Sequence, residues 1–262
     1  MEDLFKNGTE TPLKIVVFDL DETLGYFVLF GVFWNAISAF FKRPLTQTDF
    51  NMTLDLYPEF LRPNIIRVLT FLKNKKDTNK CSNLMIYTNN QGPIEWVIFI
   101  KCYFEWKLGG IVFDVIIPAF KVGGKQVAAG RTSHRKTHSD FIRCSNVPQN
   151  SQICFVDDKF HHEMNKNTVY YIHVRPYIYG LTYSTLIGRY LDFHKSLQSS
   201  QFATNCMDYF VRYGHKYVPK SNTEYELDII STNELLKHVK HFFNQSKTRR
   251  YRRRGSKTKR RK

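Results

Sequence analysis

Two hydrophobic rhythms alternate along this chain. The runs 14–18, 83–87 and 152–156 are almost wholly apolar, and each stops abruptly at acids, hydroxyls or amides. Runs this short and continuous predict strands covered on both faces, as in a parallel sheet. Residues 113–119 and 169–174 read as two further strands. Between these runs the apolar positions recur at helical spacing. Residues 93–107 place Ile94, Val97, Ile98 and Phe104 on a predicted helix, with Pro93 suited to its first turn. Residues 182–197 and 231–243 predict later helices, the second opening with Ser231-Thr232-Asn233-Glu234, which has the spacing of a capping box. Strands separated by helices imply an α/β fold, a parallel sheet with right-handed crossovers.

One segment breaks the alternation. From Tyr26 to Phe41 the chain is nearly all apolar or aromatic, interrupted by Gly31, Asn35 and Ser38. Its 16 residues fall short of the roughly 20 needed to span a bilayer. The segment predicts a helical lid presenting Phe30, Phe33, Trp34 and Phe40 to a substrate entrance, or plain core packing of the same aromatics.

Charge and cysteine usage narrow the class. Eleven of the 16 residues from Lys247 to Lys262 are Lys or Arg, with no acid among them, and they account for +11 of the formal net charge of +16. Such a block repels itself, is predicted to be disordered when unbound, and suits contact with nucleic-acid phosphates or an import receptor. Cys81, Cys102, Cys144, Cys154 and Cys206 show no Cys-x-x-Cys spacing, and no secretory signal opens the chain. A reducing interior, nucleus or cytoplasm, is the expected location. No membrane partner is expected. The pairs His134/His138 and His161/His162 lack the further ligands that a closed zinc site needs.

The candidate chemistry gathers at the ends of the apolar runs. Asp19 and Asp21 follow the first, and in extended chain residues i and i+2 point to one side. Two carboxylates so close favour a raised pKa on one of them or a cation between them. One acid can then remain ionised as a nucleophile while the other moves a proton. Thr88, Asn89 and Asn90 follow the second run, and Asp157 and Asp158 end the run beginning at Gln152. In open parallel sheets ligands bind beyond the carboxyl ends of the strands.

These residues resemble a known family. Asp19-Leu20-Asp21-Glu22-Thr23 is similar to the first motif of the haloacid dehalogenase (HAD) superfamily in its phosphatase form, Asp-x-Asp-x-Thr. With Leu24 it resembles the RNA polymerase II C-terminal-domain phosphatases, also called NLI-interacting-factor-like phosphatases. The run ending in Thr88 resembles the second motif, Lys136 the third and Asp157-Asp158 the fourth; Lys121 and Lys125 compete for the third place. Leu61-Arg62-Pro63 resembles the family's Arg-Pro segment ahead of its first core helix. Thr88-Asn89-Asn90-Gln91 departs from the Thr-Ala-Ser type of run common among the polymerase-tail phosphatases.

The resemblance implies a HAD-like Rossmannoid sheet with helices on both faces, a phosphatase domain over residues 1–246, a small helical cap insertion at about 26–57, and a separate tail at 247–262. It implies a phosphomonoesterase working through an aspartyl-phosphate, with Asp19 as nucleophile, Asp21 as general acid and base, and Thr88 and Lys136 completing the catalytic set. Thr23, Asn89 and Lys136 would bind the phosphoryl group. Mg²⁺ would be held by Asp19, Asp157, Asp158 and the backbone carbonyl of Asp21. The implied substrate is a phosphoserine or phosphothreonine protein. A 3′-end phosphatase of nucleic acid and a HAD-fold binding module without turnover are the alternatives. With its basic tail the compact chain resembles proteins of large DNA viruses as well as of eukaryotes, and a viral source would make the expected compartment the host cell's.

Overall fold

The computed structural model describes residues 12–197, 199–214 and 217–245. The first apolar run forms β1 (Lys14–Phe18) at the centre of a five-stranded sheet. To one side lie β2 (Asn83–Tyr87) and β3 (Val115–Ile117); to the other lie β6 (Gln152–Asp157) and β7 (Val169–His173). Every adjacent pair is parallel. A separate hairpin, β4 (Lys121–Val122) and β5 (Lys125–Gln126), turns through Gly123-Gly124 within the basic loop. The chain is thus an α/β protein with a Rossmann-like parallel sheet, and the strand positions read from the apolar runs hold to within two residues at each end.

Pleating divides the strands between two cores. Val16, Phe18, Leu84, Ile86, Cys154 and Val156 face one cluster, while Ile15, Val17, Met85, Tyr87, Ile153 and Phe155 face the other. The connections from β1 out to β3 run through α1 (Val28–Phe41), α2 (Gln47–Asp55), α3 (Ile65–Asp77) and α4 (Ile94–Leu108), all on the first face. The return from β3 to β6 passes through α5 (His138–Ser145), whose Phe141 packs on the second face. Right-handed crossovers running in opposite directions use opposite faces, which explains the division. After β7, α6 (Tyr183–Phe193), α7 (Ser199–Tyr213) and α8 (Asn222–Asn244) thicken the first face. The winding reverses between β1 and β6, and that reversal opens a crevice at their carboxyl ends.

The structure departs from the expectations in three places. A cap at residues 26–57 is not confirmed, and the core-packing alternative describes its aromatics: Phe30 and Phe33 are fully buried in the main cluster, and α1 and α2 form a layer of it. Phe33 meets Tyr190 of α6 and both Phe202 and Phe210 of α7, so aromatic packing draws the segment inward. Next, α8 begins at Asn222, and its capping box is built on Ser221 and Glu224 rather than Ser231 and Glu234. The first half of its buried face carries Asp228 and Thr232, which hide the apolar period. Lys220 pairs with the Asp228 carboxylate, and the Thr232 hydroxyl donates to the Asp228 carbonyl at 2.9 Å. Ser221→Ala should therefore lower stability by about 1 kcal/mol, and Ser231→Ala should lower it by much less. Urea unfolding of the two variants checks this. Finally, α7 matches no predicted element, because its polar residues outnumber the three buried ones, Phe202, Cys206 and Phe210.

The basic block 247–262 lies outside the described residues, and so do residues 1–11. All five cysteines are free thiols. Among the described residues no helix is long and apolar enough to cross a membrane.

Candidate functional site

The crevice at the winding reversal is polar. It is a cavity of about 280 Å³ lined by Asp19, Asp21, Thr88, Asn89, Asn90, Lys136, Asp157 and His161, together with Glu22, Val28, Gln91 and Lys159. The four sequence segments that end in chemistry thus converge on one space. The backbone N–H of Asp19 donates to Val156 O at 2.9 Å, which continues the β1–β6 pairing one residue past the strand and brings the two acidic tips together.

Lys136 joins those tips. It lies just ahead of α5, whose N-cap Thr137 accepts from the backbone N–H of Asp140 at 3.0 Å and fixes where the helix starts. Its ammonium is buried and donates to Asp19 Oδ1 at 2.5 Å and to Asp157 Oδ2 at 2.7 Å. Burial alone would lower the Lys136 pKa, but the two carboxylates outweigh it and raise it, so the ammonium stays charged. Lys121 and Lys125 stay on the hairpin and do not line this cavity.

The acids remain in excess of the cation. Asp19, Asp157 and Asp158 are all buried, and one ligand oxygen from each lies within 4.8 Å of the others. Burial raises the Asp19 pKa against the pull of Lys136. Burial also raises Asp158, reinforced by repulsion from Asp19 and Asp157. For Asp157 burial acts the same way, yet Lys136 and the His161 ring, with Nε2 3.4 Å from Oδ2, outweigh it and hold the group below its ordinary value. Among the described residues, Oδ2 of Asp158 and Oδ1 of Asp21 are buried without a hydrogen-bond partner. Orphaned anionic oxygens beside a surplus of carboxylates are costly unless a cation or proton reaches them. An all-oxygen set of this kind fits a hard divalent ion such as Mg²⁺.

Asp21 stands slightly apart. Its Oδ2 accepts from Asn90 Nδ2 at 2.7 Å, and the Asn90 side chain is fixed in turn by accepting from Gly92 N at 2.8 Å. Burial raises the Asp21 pKa, with the Asn90 hydrogen bond opposing the rise. A carboxyl shifted upward in this way is suited to exchange a proton. Its side chain is outside the three-acid group.

Thr23 and Asn89 divide differently from the sequence expectation. Thr23 is fully buried and does not line the cavity; its hydroxyl donates to Asp158 Oδ1 and accepts from Asp158 N, both at 3.1 Å. It is placed to orient Asp158 from behind. Asn89 does line the cavity, with a buried Oδ1 that has no partner among the described residues. Thr88 accepts from Asn90 N at 3.0 Å, so its hydroxyl hydrogen remains able to donate toward the cavity that it lines.

Two buried arginines staple the loops that carry these groups. Arg62 Nε donates to Thr23 O at 2.6 Å, and its Nη2 donates to Glu22 O at 2.7 Å and Arg175 O at 2.6 Å. This holds a tight turn in which Glu22 adopts φ 61°, a left-handed conformation unusual for a non-glycine residue. A Cβ at Gly25, at the end of the same turn, would collide with the carbonyl oxygen of Phe60. Arg131 lies over the Tyr87 ring and donates to Thr88 O at 3.1 Å and His134 O at 3.1 Å, tying the β2 tip to the segment that leads into Lys136.

Arg131 was not among the residues singled out from sequence, and Asn90 was noted at the end of the second apolar run without a role. An arginine beside Gly130 in a polar loop carries no pattern that separates it from a solvated one, and Asn90 is one of two adjacent asparagines. No family model matches the chain, nor does any curated protein or solved structure.

Proposed function

We propose that this protein is a phosphomonoester hydrolase of the haloacid dehalogenase type, working through an aspartyl-phosphate. The observation that carries the reading is Lys136, buried and bonded to Asp19 from the β1 tip and Asp157 from the β6 tip, in a cavity shared with Asp21 and Thr88. The resemblance noted in the four motifs and the order of the strands support the same reading.

In this scheme the Asp19 carboxylate attacks phosphorus in line. The bond from phosphorus to the leaving oxygen breaks, and Asp21 delivers its proton to that oxygen. Asp21 then takes a proton from the water that attacks the acyl phosphate, which releases phosphate and restores Asp19. Lys136 neutralises charge on the nucleophile and on the phosphoryl oxygens. Thr88 and Asn89 line the cavity where those oxygens would lie. Thr23 acts through Asp158. Asp19, Asp157 and Asp158, with the backbone carbonyl of Asp21, are the groups that would hold Mg²⁺. When bound, the ion offsets the repulsion between carboxylates and a phosphate dianion.

A phosphoserine or phosphothreonine protein is the substrate class proposed, with nucleic-acid or import-receptor contact assigned to the basic block 247–262. Phosphate release from phosphoserine and phosphothreonine peptides is expected to require Mg²⁺ and to stop on adding EDTA, with a 3′-phosphorylated oligonucleotide as the comparison substrate. Preference for the oligonucleotide would favour the end-phosphatase alternative. Absence of turnover on every substrate, with Mg²⁺ present, would leave the fold as a binding module and defeat the proposal.

A further inference from the structure

A second cavity of about 290 Å³ opens beside the acid crevice, between α1 and the start of α4. The two cavities have Asp21, Val28 and Asn90 in common, so the Asp21–Asn90 hydrogen bond is part of the wall between them. Beyond that wall the surface is aromatic, built from Phe27, Trp34, Trp96 and Phe99. Gly31 makes the close approach of α1 and α4 possible, since a Cβ there would stand 3.3 Å from the Trp96 ring. Among the described residues no lysine or arginine lines this cavity; its charged residues are Asp21 and Glu95.

Resting on the hydrolase reading above, we propose that this cavity seats a neutral flat ring on the leaving-group side of a phosphopeptide substrate. The leaving oxygen must face Asp21 to be protonated, so the group attached to it extends along the Asp21–Asn90 wall. Aromatic walls gain from a flat apolar partner through burial and through offset or edge-to-face ring contacts. The volume is at the small end for ligand cavities and suits a single ring. Charge argues against a polynucleotide strand here, because each further nucleotide brings a phosphate toward Glu95 with no cation in the lining. The ring can be the one that bears the phosphate, as in phosphotyrosine, or the side chain next to a phosphoserine.

The test is a comparison of kcat/KM with Mg²⁺ present for matched peptides: phosphotyrosine, phosphoserine beside phenylalanine, phosphoserine beside alanine, and a 3′-phosphorylated oligonucleotide. At least one ring-bearing peptide should exceed the phosphoserine-alanine peptide by about 10- to 100-fold, and which one does so identifies the source of the ring. Asn35→Phe at the exposed side of the cavity and Gly31→Leu within it should each cut that ratio about tenfold. Equal values for ring-bearing and ringless peptides, or the highest value on the oligonucleotide, would overturn the proposal.

A binding measurement separates this from failure of the hydrolase reading. Tryptophan emission of the Asp19→Asn chain should shift on adding either ring-bearing peptide and not with the ringless one, because Trp34 and Trp96 form the cavity wall. If no substrate is turned over, the hydrolase reading falls while the emission shift still decides the cavity. Absence of a ring-dependent shift defeats the inference even if phosphate is released.

Discussion

Asp19→Asn should leave a folded protein that releases phosphate at least about 10⁴-fold more slowly than the parent, the scale of loss when a covalent nucleophile is removed. The substitution keeps the shape of the side chain. It also removes one of three carboxylates crowded within 4.8 Å, so repulsion on Asp157 and Asp158 falls. Stability in urea should change little while turnover disappears, and this separation distinguishes a chemical role from a structural one. Asp21→Asn should behave differently, losing about 10²- to 10⁴-fold, because a general acid accelerates a step that the nucleophile can still begin. Phosphate release by both proteins, followed beside their unfolding curves, gives the comparison. Full activity in Asp19→Asn would rule out the aspartyl-phosphate route.

Lys136→Met should damage folding and function together. The ammonium is 2% exposed and pairs with Asp19 and Asp157, so its removal leaves two buried carboxylates facing Asp158 without a countercharge. Breaking a buried ion pair from one side costs about 3–5 kcal/mol, since the remaining charge stays uncompensated. Turnover should also fall, by about 10²- to 10³-fold, from loss of charge stabilisation alone. A cycle with Asp19→Asn tests the cause. If uncompensated carboxylate is what destabilises Lys136→Met, the double variant should recover part of the lost stability. Strict additivity would show that the lysine matters for its packing against Tyr87 and Phe155 instead.

The site was legible in the sequence wherever a strand ended in chemistry. Continuous apolar runs give strand positions, and a parallel sheet places the residue after each run at a common edge. Strand ends put Asp19, Thr88 and Asp157 at such an edge, and the resemblance to the haloacid dehalogenase motifs is what joined them into one site. Lys136 was the hardest of the four, because it precedes a helix of only eight residues and had two other lysines as rivals. Groups that act from behind left weaker marks. Thr23 belongs to the same motif as Asp19, yet its partner Asp158 is far along the chain, and sequence spacing does not report which way a hydroxyl turns. Arg131 binds carbonyl oxygens, which every residue has, so no complementary residue type marks its target. The aromatic segment from Tyr26 to Phe41 was ambiguous for a related reason. Core packing and a cavity wall draw on the same side chains, and here Phe33 lies deep in the core while Trp34 serves both.

The register of β1 against β6 has a consequence for how the protein comes into being. Val17 lies opposite Phe155, and Lys136 must reach back across most of the chain's first half to meet Asp19. During synthesis from the amino terminus, the central strand has a bare edge until residues near 157 leave the ribosome. No shorter amino-terminal piece holds the acids of both strand tips, so under the proposed hydrolase reading a nascent chain could neither gather oxygens for an ion nor attack phosphate early. Contacts this distant in sequence also favour slow folding. The proposed reactivity would thereby be withheld until the sheet has closed around it.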